Sequence, residues 1–201
     1  MINLIRRDLI IQKWQLLLFI PFILVFALTD MPAILIIIVA SIFIPFNTLY
    51  YDERAETNIL LNSLPYTRKE IIASRFLAAI VYLCVSIMIV SLLLLLFQKS
   101  ITLTDIMLSA GLFLCFVAIS YPIYYMINHG NTTMFILIGF LGLNFIMAPI
   151  ISYFINNQPA VINYILSMPR SYLYITGAVF VSFIYLLSWV VTTVIYERKE
   201  F

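Results

Sequence analysis

Charge is what this sequence has least of: Asp, Glu, Lys and Arg make up only 10% of its 201 residues, while 64% are hydrophobic. Mean hydropathy is +1.10, whereas soluble domains carry about a quarter charged and about half apolar residues. A fold surrounded by water is excluded, and a membrane protein is indicated. Eleven basic against nine acidic residues leave a net charge of +2, too small and too dispersed for a nucleic-acid binder. Glycine is equally scarce. The five present are Gly111, Gly130, Gly139, Gly142 and Gly177, and G-x-x-x-x-G-K-[ST] does not occur, so this chain builds no phosphate loop. Cys84 and Cys115 lie inside apolar runs without the spacing of metal ligands or of a disulfide framework. The one histidine, His129, sits in the turn Asn128 to Asn131 and reads as a solvated loop residue. With no G-x-S-x-G or H-E-x-x-H motif, the chain is expected to be no enzyme and to bind no metal or cofactor itself. A small-residue cleavage site ahead of Asp30 is missing too, so Met1 to Lys13 is not read as a cleaved signal peptide.

What the sequence has in abundance is apolar runs long enough to cross a bilayer, which takes about 20 residues each. Six separate cleanly: Trp14 to Leu28, Met31 to Tyr51, Phe76 to Phe97, Ile106 to Ile127, Thr133 to Ile155 and Tyr172 to Tyr196. None contains a formal charge. The expected fold is all-α and polytopic, one transmembrane domain of six helices over residues 1–201. Before the first span, Leu4, Ile5, Leu9 and Ile10 share one helical side while Arg6, Arg7, Asp8 and Lys13 are polar, the pattern of an interfacial elbow helix over residues 1–13. Thr29-Asp30 forces spans one and two into a tight hairpin, with Pro32 suited to a first helical turn. Tyr50, Tyr51, Tyr124, Tyr125, Tyr172, Tyr174 and Tyr196 cluster at span ends and read as an interfacial aromatic belt.

Orientation follows from the basic residues. Arg6, Arg7, Lys13, Arg54, Arg68, Lys69, Arg75, Arg198 and Lys199 fall on one side, and only Lys99 and Arg170 on the other. Both termini are therefore expected in the cytoplasm, with residues 52–75 as the longest cytoplasmic loop and 197–201 as a cytoplasmic tail.

That loop balances Asp52, Glu53, Glu56 and Glu70 against Arg54, Arg68, Lys69 and Arg75, which makes it a poor anchor for anionic lipid. Ile59, Leu60, Leu64 and Tyr66 bracket polar Asn58, Asn62 and Ser63 in a short amphipathic turn that Pro65 must end or bend. Thr67 and Glu70 then have the spacing of a capping box opening a new helix toward span three. Helix, break, helix suits either a solvated connection or a docking knob for a cytoplasmic partner.

The stretch Asn58-Ile-Leu-Leu-Asn-Ser-Leu-Pro-Tyr-Thr-Arg-Lys-Glu-Ile-Ile72 resembles the loop after the second span in small ABC-2 type permeases, the membrane subunits of bacterial ATP-driven exporters. The elbow, span count and length extend the resemblance over nearly the whole chain, although only Leu-Asn-Ser-Leu-Pro-x-x-Arg-x-Glu is distinctive. Within that family it looks most like permeases of the phenol-soluble modulin exporter type. The resemblance implies that Leu60, Leu61, Asn62, Ser63, Leu64, Pro65, Thr67, Arg68 and Glu70 belong to a coupling helix seated in a groove of a separate ATPase subunit. ATP and Mg would bind that partner, and a second permease subunit, identical or related, would complete a dimer in the bacterial plasma membrane. The cargo would be an amphipathic peptide or hydrophobic compound, exported.

Between spans five and six, Pro159 opens and Pro169 closes a segment with Val161, Ile162, Ile165 and Leu166 on one face. It reads as a short external helix over residues 156–171, either capping a translocation path or anchoring at the interface. Gly139, Gly142 and Asn144 on span five and Ser182 on span six are candidates for helix packing or for the translocation path, packing being favoured. Ser86, Ser91 and Ser188 are of the same kind. Pro21, Pro45, Pro122 and Pro149 interrupt four spans, as where helices bend around a cavity. Proton-coupled sites are normally built on intramembrane ionisable residues, so coupling to a proton gradient is disfavoured. Two rivals remain at this stage: a substrate-binding membrane subunit of an energy-coupling vitamin importer, and a non-transporting immunity or sensor protein. The first would need a small-residue docking surface that Gln15 to Leu28 lacks.

The orientation is directly testable. With Cys84 and Cys115 replaced, single cysteines at Asp30, Lys99 and Gln158 should react with a membrane-impermeant thiol reagent on intact cells, while cysteines at Ser63 and Gly130 should not. Labelling at Ser63 from outside would reverse the topology.

Overall fold

The structure is a computed structural model that describes residues 21, 23–26, 28, 31–54, 67–126, 167 and 169–198, with backbone alone at 44, 46, 50–54 and 170. The elbow helix, most of the first span, the 60–65 segment, span five with Gly139, Gly142 and Asn144, and nearly all of the external helix lie outside these residues. Within them every element is helical: α1 (Ala33–Arg54), α2 (Arg68–Leu96), α3 (Leu103–Met126) and α4 (Arg170–Arg198). Three stretches, Arg68–Leu96, Leu103–Met126 and Ser171–Arg198, are long and apolar enough to cross a membrane, and a shorter apolar helix runs over Ala33–Leu49. At 1.5 Å per residue the 29 residues of α2 extend about 43 Å, more than the hydrocarbon needs.

The termini are set by local chemistry. Thr67 caps α2 in a capping box with Glu70. Thr102 does the same for α3 with Asp105, whose carboxylate accepts from the Thr102 N–H at 2.9 Å and its hydroxyl at 2.8 Å. At the far end of α2, Gln98 takes a left-handed φ of 55°. Its N–H donates to Leu95 O and that of Lys99 to Leu94 O, the paired bonds of a Schellman closure that usually employs glycine.

The four helices form a ring in which α2 and α3 each pack against both α1 and α4. α2 runs opposite to the other three. The α3 and α4 pair is parallel with a constant offset: Thr104 meets Tyr174, Ala118 meets Ser188 and Tyr125 meets Tyr196. Against them, Tyr185 Oη donates to Phe76 O at 2.8 Å, and Ser86 Oγ to Ala40 O of α1 at 3.4 Å.

The larger core lies toward the Arg68 end, where Ile71, Ile72, Phe76, Phe113, Val117, Tyr121, Tyr125, Tyr185 and Tyr196 are packed together. Phe76 is its centre, edge-on to Tyr121 at 5.1 Å and to Tyr185 at 5.2 Å and stacked on Trp189 at 5.8 Å. A second cluster of Ile23, Ile36, Ile37, Ala40, Val90 and Leu94 sits nearer the Lys99 end. On α4 the buried residues are Tyr185, Ser188, Thr192 and Tyr196, one stripe at spacings of three and four. Val, Leu and Phe cover its outer faces. This is the reverse of a soluble helix and what lipid as solvent favours, since helices there associate through packing and hydrogen bonds.

Three expectations are corrected. Tyr124, Tyr125 and Tyr196 lie at helix ends, but they are buried between helices and do not form a headgroup belt. Only Tyr172 and Tyr174 of that set retain substantial exposure among the described side chains. Residues 68–75, counted within the 52–75 loop as its second helix, are the first two turns of α2 and continuous with the span, starting at the capping box as expected. Pro45 and Pro122 do not interrupt their spans: α1 and α3 continue through them. The reason is visible at Pro122. Its missing N–H releases the carbonyl of Ala118 four residues earlier, and Ser188 Oγ of α4 donates to that oxygen at 2.6 Å.

This repair predicts a thermodynamic coupling. Ser188→Ala should destabilise the protein by about 1 kcal/mol, leaving a buried acceptor unmet, whereas in a Pro122→Ala background, where the helix supplies its own N–H, the same change should cost much less. Reversible unfolding of the four proteins in detergent measures the cycle. Equal costs in both backgrounds would remove the repair.

Candidate functional site

At the Arg68 end of the bundle the chain enters α2 from the segment that resembles a coupling helix. Thr67, Arg68 and Glu70 are the described members of that set. Thr67 N–H donates to Glu70 Oε2 at 2.9 Å, and Glu70 N–H donates back to Thr67 Oγ1 at 3.3 Å. Thr67 and Glu70 are thus committed to starting the helix.

Arg68 reaches across to α4. Its Nη1 donates to Glu197 O at 2.8 Å and to Tyr196 O at 3.3 Å, carbonyls at a helix C-terminus that have no intrahelical donor. Lys69 Nζ lies 3.7 Å from Glu197 Oε1, an exposed pair that contributes little. One face of the bundle therefore joins the start of α2 to the end of α4, and Tyr196 continues the link by packing edge-on against Tyr125 of α3, ring centroids 5.1 Å apart. No pattern in the sequence announces this, because Arg68 and Tyr196 are 128 residues apart.

Arg75, assigned by the sequence to the loop, is only 4% exposed. It lies about two turns into α2, close enough to Tyr121 of α3 to interact with its phenol. Tyr121 belongs to the core cluster that also holds Tyr124 and Tyr125 at the end of α3. The spans proper keep their lack of formal charge.

Ser182, the remaining described candidate, lies on an exposed part of α4. With Gly111, Cys115, Gly177 and Ala178 it lines a shallow, mostly apolar groove of about 390 Å³ between α3 and α4, toward the Lys99 end. A Cβ at Gly111 would touch Val181 at 3.8 Å, while one at Gly177 would meet nothing within 4 Å. Ser182 is therefore placed away from the residues of the Arg68 end. Ser86 and Ser188, by contrast, bridge helices through backbone carbonyls, the packing role favoured for them. Both cysteines are free thiols. The Thr102 and Asp105 box was legible in the sequence, by the same spacing as Thr67 and Glu70, but the stretch was read only for its apolar run.

Residues 3–197 match the family model described as ABC-2 family transporter protein. The chain belongs to the ABC-2 transporter family. No curated protein and no solved structure matches it. Membership agrees with the resemblance carried by residues 58–72. An ABC-2 membrane component works in a lipid bilayer with an ATPase partner, and this ABC-2 chain has no phosphate loop of its own.

The capping box yields a local test. Thr67→Ala should weaken the start of α2 by about 1 kcal/mol and speed amide exchange at Lys69 to Ile71 by about fivefold, while Thr67→Ser should keep protection. Unchanged exchange in the alanine variant would show that the cap does not hold this turn.

Proposed function

We propose that this chain is the permease subunit of an ATP-binding cassette exporter. In this reading it spans the bacterial plasma membrane six times with both termini in the cytoplasm. It pairs with a second permease subunit and moves an amphipathic peptide or hydrophobic compound outward by alternating access. ATP and Mg bind the partner ATPase, and this chain is neither an enzyme nor a cofactor binder. The family match over residues 3–197 is the observation that carries the reading. The basic residues supply the orientation, and the buried Arg75 lies on the side of Arg54, Arg68 and Arg198, at the end and not the middle of the apolar helices. The uncharged spans favour an apolar or amphipathic cargo over ion coupling. Within the family, the stretch at residues 58–72 supports a permease of the phenol-soluble modulin exporter type. The vitamin-importer and immunity readings draw no support from the family match.

Coupling to the ATPase would run through Leu60, Leu61, Asn62, Ser63, Leu64 and Pro65, with α2 as the lever that follows. Leu60 and Leu64 stand four apart and would share a helix face. If that face fills an ATPase groove, each leucine contributes roughly 1 to 3 kcal/mol to association.

Leu60→Asp together with Leu64→Asp should abolish ATPase co-purification while membrane insertion and detergent-solubilised stability stay as in the wild type. A double variant that keeps its ATPase and transports normally would remove the residue-level basis of the docking assignment.

A further inference from the structure

Arg68 stands at a junction that docking does not explain. It is the first residue of α2 and follows directly on the proposed coupling segment, yet its guanidinium is spent on the end of another helix. Two successive carbonyls, Tyr196 O and Glu197 O, accept from it. A helix C-terminus offers unpaired carbonyls and a partial negative charge, and a guanidinium can address two acceptors at once where an ammonium is a point charge. The residue that supplies the first carbonyl, Tyr196, is fully buried and packs edge-on against Tyr125 of α3. Arg68 thus joins the start of α2 to the end of α4, and the Tyr196 ring carries the contact on to the end of α3. Deeper in the bundle, α2 and α4 also engage at Phe76, where Tyr185 and Trp189 meet it, about two turns further along α2.

We propose that Arg68 is a positioning residue that locks the start of α2 to the ends of α4 and α3, so that displacement of the coupling segment moves all three helices as one body. It acts within the permease and not as an ATPase contact. This rests on the permease reading above. Without the link, a push entering at the start of α2 would reach α4 only through the contacts deeper in the bundle at Phe76. With it, the push reaches α4, whose buried stripe ends at Tyr196 and whose opposite half is loosely packed and exposed.

The test uses the complex purified with its ATPase, in a background of Cys84→Ala and Cys115→Ala. Gly177→Cys, in open space on the far half of α4, reports movement of that helix through its rate of reaction with a maleimide. The rate should differ at least about fivefold, the lower range of allosteric coupling, between the nucleotide-free complex and one trapped with ATP, Mg and vanadate. Arg68→Ala should erase this difference while ATPase co-purification and ATP hydrolysis persist, and Arg68→Lys should restore part of it. A second readout, crosslinking of Lys69→Cys to Glu197→Cys by a short bifunctional maleimide, should proceed equally in the free and trapped states and fall in Arg68→Ala. The proposal is overturned if Arg68→Ala keeps the nucleotide response, if it loses the ATPase, if the wild-type reporter ignores trapping, or if the wild-type crosslink disappears on trapping. Absence of any ATPase from the wild-type preparation would overturn the permease reading instead, and the crosslink in the permease alone would still report whether Arg68 holds the two ends together.

Discussion

A bilayer withholds water from the backbone, and the rest of this bundle depends on how that constraint is met. Each buried carbonyl or N–H without a partner in hydrocarbon costs several kcal/mol, so spanning segments must be helices, and any interruption must be repaired from a neighbour. Pro122 makes such an interruption and Ser188 repairs it. The repair also fixes the register of α3 against α4, because the serine must stand opposite the one carbonyl that lacks its helical donor. The same offset then brings Thr104 to Tyr174 and Tyr125 to Tyr196. Arg68 serves the corresponding need at the end of α4, donating to the carbonyls of Tyr196 and Glu197.

Lipid also reverses which residues hold helices together. Leu, Val and Ile gain little by leaving a hydrocarbon solvent for a protein interior of similar polarity, so hydroxyls, aromatic rings and close packing decide the contacts. On α4 the inward residues are Tyr185, Ser188, Thr192 and Tyr196, and the outward ones are mostly Val, Leu and Phe. Phe76 then serves as a hub because three aromatic rings from two other helices converge on it. Among the described residues, the larger packed cluster therefore lies at the Arg68 end. Toward the opposite end α4 loses most of its buried neighbours and borders an open groove. In the permease reading proposed above, a densely packed end beside the coupling segment and a more open end on the other side would suit a lever.

Much of this was legible in the residues alone. Composition decided the class, since a chain with 10% charged residues cannot coat itself for water. The capping box of Thr67 and Glu70, the helical nature of α1 to α4 and the family all came from local pattern, because helix starts, apolar runs and short motifs are encoded over a few neighbouring residues. Helix direction and pairing were not. A uniformly apolar helix carries little periodicity to mark its inner face, and tyrosines at span ends look the same whether they meet headgroups or one another. Continuity through Pro45 and Pro122 was hidden for a related reason: proline signals the loss of a hydrogen bond, but only a side chain on another helix decides whether that loss breaks the span. The sequence by itself therefore determined that the chain lives in lipid, that its segments are helices, where α2 begins and which family it belongs to. Tertiary structure alone decided that Arg75 is buried, that Ser188 answers Pro122, and that Arg68 closes α4, because each is a contact between residues 46 to 128 positions apart that no local pattern encodes.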